Sequence, residues 1–204
     1  MIKNIIFDFD GVILDSIPVK TEAFRCLFEG FDERLVNSFI DYHLLNGGMS
    51  RYLKIKYFYE KILGEKITDK KVDQLALEYS ELTKLELSKE KYLIQDTLEF
   101  IQQNYQKYNM HIASGADEKD LRYICTSLNL SQYFHSINGS PMVKNKIVKG
   151  ILEVYMHKKI ETVLIGDSIN DLEAAKANDI VFYGYNNPSL RIGNRYLEKM
   201  DVLL

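Results

Sequence analysis

The chain has 204 residues, enough for one good-sized core or a core with a smaller insertion. Its formal charge is −3, with Lys and Arg spread along it, which argues against a dedicated nucleic-acid surface. No apolar run approaches the roughly 20 residues that span a bilayer, and the N-terminus runs into an apolar strand rather than a secretory signal, so a soluble, cytoplasmic protein is expected.

In chain order, Ile5 to Phe9 is the first of four short apolar runs. Met110 to Ala113, Thr162 to Ile165 and Ile180 to Tyr183 are the others, each followed by glycine or small polar residues. Helical patterns separate them, and this alternation predicts an α/β fold with a mainly parallel sheet. Near-continuous hydrophobicity fits strands covered on both faces. Ligands of such sheets bind beyond the carboxyl ends of the strands. The first run therefore delivers Asp8 and Asp10 to that edge, two positions apart and so on one side of an extended strand.

Residues 16–90 break the alternation. Phe24, Leu27 and Phe28 share one helical face, and Val72, Leu75, Ala76, Tyr79 and Leu82 share another, with no convincing strand between them. This reads as an α-helical domain inserted between core segments 1–15 and 91–204. Asp15-Ser16-Ile17-Pro18 supplies its entrance, and the return falls near Lys89 to Leu93. Cys26 and Cys125 lie in helical apolar patterns and are expected as reduced core thiols. Tyr52, Tyr57 and Tyr59 read as packing residues. Asn186-Asn187-Pro188 is a turn, and the pattern after it assigns no element.

A carboxylate that attacks phosphorus needs its negative charge offset, which a metal ion does. Asp8 is the candidate nucleophile, and Asp10 the acid that protonates the leaving oxygen and then the base that activates water. Gly11 permits a tight turn that leaves N–H groups free for phosphoryl oxygens. Alternatively, these residues are a solvated strand end with turn-forming aspartates. Ser114-Gly115-Ala116 closes the second run, where a hydroxyl and N–H groups suit a phosphoryl oxygen. Ser114 equally suits the cap of a helix starting near Asp117.

Lys144 starts the inward face of a helix formed by Ile147, Val148, Ile151 and Tyr155, whereas Lys146 aligns with the solvent side. Lys144 is therefore the candidate cation, with an ordinary surface lysine as the alternative. In Gly166-Asp167-Ser168-Ile169-Asn170-Asp171, Asp167 offers a hard oxygen to magnesium. Asp171 either joins the metal site or forms a capping box with Ser168.

In order, Asp8 to Asp10, Ser114, Lys144 and Gly166 to Asp171 match the four motifs of the haloacid dehalogenase superfamily, which the chain resembles from Ile2 to about Tyr185. The resemblance implies a Rossmann-like core, an Mg²⁺ cofactor, an aspartyl-phosphate intermediate and a small phosphorylated substrate. The metal would be held by the Asp8 side chain, the Asp10 carbonyl and Asp167. Asp10 favours phosphoester chemistry over dehalogenation and fits both phosphatases and sugar-phosphate mutases. A catalytically idle binding protein is the third reading.

The insertion resembles the small helical cap of the phosphoglycolate-phosphatase-like and phosphoglucomutase-like branches. Within His43 to Arg51, the residues Gly48, Ser50 and Arg51 match the mutase branch's substrate loop. Arg51 would suit a second phosphate or a carboxylate. Otherwise Ser50 caps a helix and Arg51 is solvated in its first turn. Lys20, close after the first hinge, either faces the cleft or is a solvated helix position, the latter being preferred. Where such proteins often carry Pro-Gly at the return to the core, this chain has Tyr92-Leu93-Ile94-Gln95-Asp96.

Overall fold

The computed structural model describes residues 1–200. Six strands form one sheet: β1 (Asn4–Phe7), β2 (Asn109–Asp117), β3 (Ser136–Ser140), β4 (Thr162–Gly166), β5 (Val181–Tyr185) and β6 (Arg195–Leu197). Their order is β3-β2-β1-β4-β5-β6, and every pairing is parallel. The expected α/β class therefore holds. Sequence reading misses the two edge strands: β3, Ser-Ile-Asn-Gly-Ser, holds one large apolar residue, and β6 is three residues long.

Alternation along the strands feeds two cores. Ile5, Phe7, Met110, Ile112, Val163 and Ile165 meet Phe100 and Ile101 of α5 (Gln95–Asn104) and Leu121 and Ile124 of α6 (Glu118–Ser127). Ile6, Ala113 and Leu164 meet the opposite layer, α7 (Lys144–Val154) and α8 (Ile169–Ala177). Burying each large side chain contributes about 1.5–3 kcal/mol, so the strand centres are rigid and their carboxyl ends become fixed anchor points.

The 16–90 stretch forms α1 (Ile17–Leu27), α2 (Glu33–Leu45), α3 (Arg51–Tyr57) running into a π-helical turn (Phe58–Leu63), and α4 (Asp69–Leu87). These helices close on a separate core that includes Phe24, Phe28, Phe39, Phe58 and Tyr79. Phe28 and Phe58 stack there with ring centroids 3.9 Å apart. Two expectations are corrected. Leu82 is exposed because the buried stripe of α4 passes from Tyr79 to Thr83 and Leu87. Cys26 is exposed on α1, while Cys125 is buried.

The chain leaves and rejoins the sheet side by side. Asp15 N–H donates to the Tyr92 carbonyl at 2.8 Å and Ile94 N–H to the Ile13 carbonyl at 3.0 Å, around an antiparallel bridge between Leu14 and Leu93. Backbone pairing thus fixes the return without a Pro-Gly pair. No helix among the described residues is long and apolar enough to cross a membrane.

Candidate active site

β1 ends at Phe7, and Asp8 stands just beyond it, its N–H donating to the Ile165 carbonyl of β4 at 2.9 Å. Asp8 is 2% exposed. Its Oδ1 accepts the Phe9 N–H at 2.7 Å. Its Oδ2 lies 2.9 Å from Lys144 Nζ, but the angle does not make a directed hydrogen bond, and that oxygen has no donor among the described residues. Lys144 also donates to Asp171 Oδ1 at 2.5 Å. Sequence reading places Lys144 inward, and there it is, while Lys146 is exposed.

Asp8, Asp167 and Asp171 each bring one oxygen within 4.8 Å of the others, all three buried. Three carboxylates thus share a site with one ammonium, which contacts Asp8 and Asp171. Burial drives the Asp8 carboxyl well above its ordinary range, Asp171 adds to this, and Lys144 opposes it. Burial and Asp171 together push Asp167 up to about 7. Burial alone would lower Lys144, but Asp171 and Asp8 outweigh it and hold the ammonium protonated. Surplus negative charge, hard oxygen donors and an orphaned buried oxygen fit a divalent cation.

Asp171 takes the capping role, one of the two that sequence reading leaves open. Its Oδ2 accepts Ser168 N–H at 3.1 Å and the Ser168 hydroxyl at 2.5 Å, forming the box that caps α8. Its other oxygen belongs to the carboxylate cluster. Gly11 has φ +73°, and a Cβ there would overlap the Asp167 carboxylate, so the turn needs glycine on both counts.

Ser114, Gly115 and Ala116 lie where the β2–β3 ladder is interrupted, between Ala113 and Asp117. Asp117, not Ser114, caps α6, accepting the Lys119 N–H at 3.0 Å. The Ser114 hydroxyl is buried and accepts the Ala116 N–H at 3.1 Å. Two contributors escaped sequence reading. Asn187 Nδ2 donates to the Asp167 carbonyl at 2.7 Å, and Asn186 Nδ2 to the Gly11 carbonyl at 3.1 Å. Their position just after β5, at the same sheet edge, is the signal that could have found them.

Asp10 departs from the strand geometry expected for it. It lies past the end of β1, in a bridge with Leu14, and its carboxylate meets the helical unit. Ser16 Oγ donates to Oδ1 at 2.5 Å and Lys20 Nζ lies 2.5 Å from Oδ2. Burial pushes Asp10 up, but Lys20 and Ser16 together reverse this and leave it below its ordinary value. Lys20 is therefore not a solvated helix position.

The segment around Gly48 rests on the sheet's carboxyl edge. A Cβ on Gly115 would overlap the Gly48 carbonyl, and a Cβ on Gly48 would crowd Ser168 and Asn170. Ser50 accepts the Leu53 N–H at 3.4 Å and caps α3, so its hydroxyl is engaged in the helix start. Arg51 is buried rather than solvated, and it lines the cavity beside the sheet edge. Its Nη2 donates to Asp120 Oδ2 at 2.7 Å, and its Nη1 to Ser80 Oγ at 2.5 Å and the Ala76 carbonyl at 3.2 Å. Tyr52 adds a second link, donating to Asp117 Oδ2 at 2.7 Å. Tyr57 packs, stacked on Tyr42 with centroids 3.5 Å apart.

Between the helical unit and the sheet lies a cavity lined by Asp10, Lys20, Arg51, Lys54, Gly115 and Asp167, among others. Its volume is about 40 Å³. Carboxylates and an ammonium converge beside this cavity, an arrangement suited to holding a multiply charged oxyanion.

No curated protein matches the chain. Among solved structures, it is similar to β-phosphoglucomutase from Clostridium difficile, with a TM-score of 0.78 and 17% identity, covering 100% of this chain and 94% of that one. CbbY from Rhodobacter sphaeroides, in complex with xylulose-(1,5)bisphosphate, gives 0.77 and 17%, covering 98% and 95%. The magnesium-bound YfnB from Bacillus subtilis gives 0.71 and 19%, covering 99% and 96%. At these identities the likeness is one of fold. The family model for haloacid dehalogenase-like hydrolases matches residues 5–185, and the chain belongs to that family.

Proposed function

We propose that the protein is an Mg²⁺-dependent phosphatase that hydrolyses a small phosphorylated metabolite through an aspartyl-phosphate on Asp8. The observation that carries this reading is the buried Asp8 oxygen beside Lys144, without a hydrogen-bond donor, inside a three-carboxylate cluster. When bound, Mg²⁺ supplies charge neutralisation for the carboxylate and the phosphoryl oxygens. Asp8, Asp167 and the Asp10 carbonyl would hold it, with Asp171 beside them.

The remaining chemistry belongs to the chain. Asp8 forms the bond to phosphorus as the bond to the leaving oxygen breaks, and Asp10 gives that oxygen a proton. Asp10 then takes a proton from the water that attacks the aspartyl-phosphate, which releases phosphate and restores Asp8. Lys20 and Ser16 favour the ionised base, and the arriving phosphoryl dianion acts in the opposite sense, favouring the acid. The Gly11 N–H is taken by the Leu14 carbonyl at 2.8 Å and the Ala116 N–H by Ser114 at 3.1 Å, so Ser114, Lys144 and the Gly115 backbone orient the phosphoryl oxygens.

The helical unit, residues 16–90, acts as a cap over core segments 1–15 and 91–204. A sugar-phosphate mutase would use the same core residues, but Arg51, the residue that matches the mutase branch's substrate loop, is bonded to Asp120. Hydrolysis is therefore the preferred reading. Phosphate release from an aryl phosphate and a metabolite panel, with Mg²⁺ or chelator, tests it. Metal-dependent release that Asp8→Asn abolishes supports the proposal, and isomer interconversion without phosphate release would favour the mutase.

A further inference from the structure

Three cations line the cavity between the helical unit and the sheet: Lys20, Arg51 and Lys54. Lys20 is paired with Asp10, and Arg51 with Asp120. Lys54 differs from both. It is 3% exposed, yet no carboxylate lies within ion-pair distance among the described residues. Its Nζ contacts only neutral groups, His43 Nδ1 at 2.9 Å and the His43 carbonyl at 3.4 Å.

An ammonium removed from water without a counter-charge is costly, and the cavity it lines carries the apolar side chains of Ile17, Phe24, Leu44 and Tyr79. Burial, with Lys20 adding, accordingly brings Lys54 down to about 7. Its neighbour is unsatisfied too. Because Nδ1 accepts from Lys54, the His43 ring proton sits on Nε2, and that buried atom has no partner among the described residues. Burial, then Lys54, holds His43 down to about 3, so the ring stays neutral beside the lysine.

We infer that Lys54, braced by His43, is a specificity-determining residue that binds a second oxyanion on the substrate's leaving group, a carboxylate or a second phosphate. Lys20 stays with Asp10 at the scissile end, and Lys54 takes the far end, so the cavity measures both charge and length. An oxyanion there would complete the ion pair that the folded chain lacks and give the lysine its charge-assisted hydrogen bond. This inference rests on the proposed phosphatase reading for which end of the substrate meets Asp8.

The test compares propyl phosphate, 3-(phosphonooxy)propanoate and 1,3-propanediol bisphosphate, which share a three-carbon chain and end in a methyl, a carboxylate or a phosphate. Wild type, Lys54→Met and Lys54→Arg are assayed for kcat/KM with Mg²⁺. The expected result is a wild-type preference for one anion-ended compound, which identifies the oxyanion. Lys54→Met should lower that preference by about tenfold to a hundredfold, mainly through KM, and Lys54→Arg should restore part of it. Equal wild-type rates on all three compounds, or an equal loss on all three in Lys54→Met, would overturn the inference.

Binding separates this inference from the phosphatase reading. Thermal shifts with the same compounds are measured in Asp8→Asn with and without Lys54→Met. A larger shift for an anion-ended compound that requires Lys54, with no turnover by wild type, would sink the phosphatase and keep the subsite. No Lys54-dependent difference in binding would sink the subsite.

Discussion

Arg51 Nη2 lies 2.7 Å from Asp120 Oδ2, a buried ion pair between the first turn of α3 and the first turn of α6. It joins the helical unit to the sheet's carboxyl edge, and the Arg51 guanidinium stacks over Tyr79 at 5.0 Å. Removing one partner strands the other charge. Arg51→Met or Asp120→Asn is expected to lower stability by about 3 kcal/mol in urea unfolding, with the double variant Arg51→Met/Asp120→Leu recovering part of that. Single variants within about 0.5 kcal/mol of wild type would show that the pair is not formed in solution.

A ligand that binds only the folded chain stabilises it. Mg²⁺ at a hundred times its dissociation constant should raise stability by about 2.7 kcal/mol, read as an increase in Tm. Asp167→Asn should remove most of that shift, since it takes one member from the carboxylate cluster. An undiminished shift in the variant would place the ion elsewhere.

Gly115 meets the Gly48 carbonyl so closely that a methyl group cannot fit while the helical unit is seated. Gly115→Ala should therefore leave the three hydrophobic cores intact but hold the cavity open. The expected signature is a Tm within a few degrees of wild type and a loss of kcat of at least about tenfold. Full activity would mean that this contact is not needed for turnover.

Much of the site was legible because its chemistry is tied to strand ends. Asp8, Ser114 and Asp167 each follow an apolar run, and Lys144 follows a helical periodicity that separates it from Lys146. What escaped depends on contacts between distant segments. Lys20 and Arg51 look like ordinary helix-surface cations until Asp10 and Asp120 arrive from the sheet. Lys54 lies on a face that becomes buried only when α2 brings His43 against it. β3 and β6 carry too little apolar signal to be recognised alone, and the sheet edge recruits them by backbone pairing.

The cluster of His111, His135 and His157 sets a pH dependence. His111 is buried, with Nδ1 2.8 Å from Ser136 Oγ and Nε2 2.9 Å from His157 Nε2. Burial, then His157 and His135, bring it down to about 3. Between pH 6.5 and 3 the unfolded chain binds a proton at this site that the folded chain refuses. Stability should therefore fall as pH drops, by about 1.4 kcal/mol per pH unit for this residue. His111→Gln should reduce the fall between pH 6.5 and 5 by roughly 2 kcal/mol in urea titrations. Parallel pH profiles for variant and wild type would contradict the buried neutral ring.

The account depends most on Asp8 carrying the phosphoryl group. The direct measurement is acid quenching during turnover of the best substrate with Mg²⁺, followed by peptide mapping by mass spectrometry. The account expects a phosphoryl adduct on the Asp8 peptide in wild type, accumulating further when Asp10→Asn slows its hydrolysis, and none in Asp8→Asn. An adduct on another residue, or undiminished phosphate release by Asp8→Asn, would contradict it.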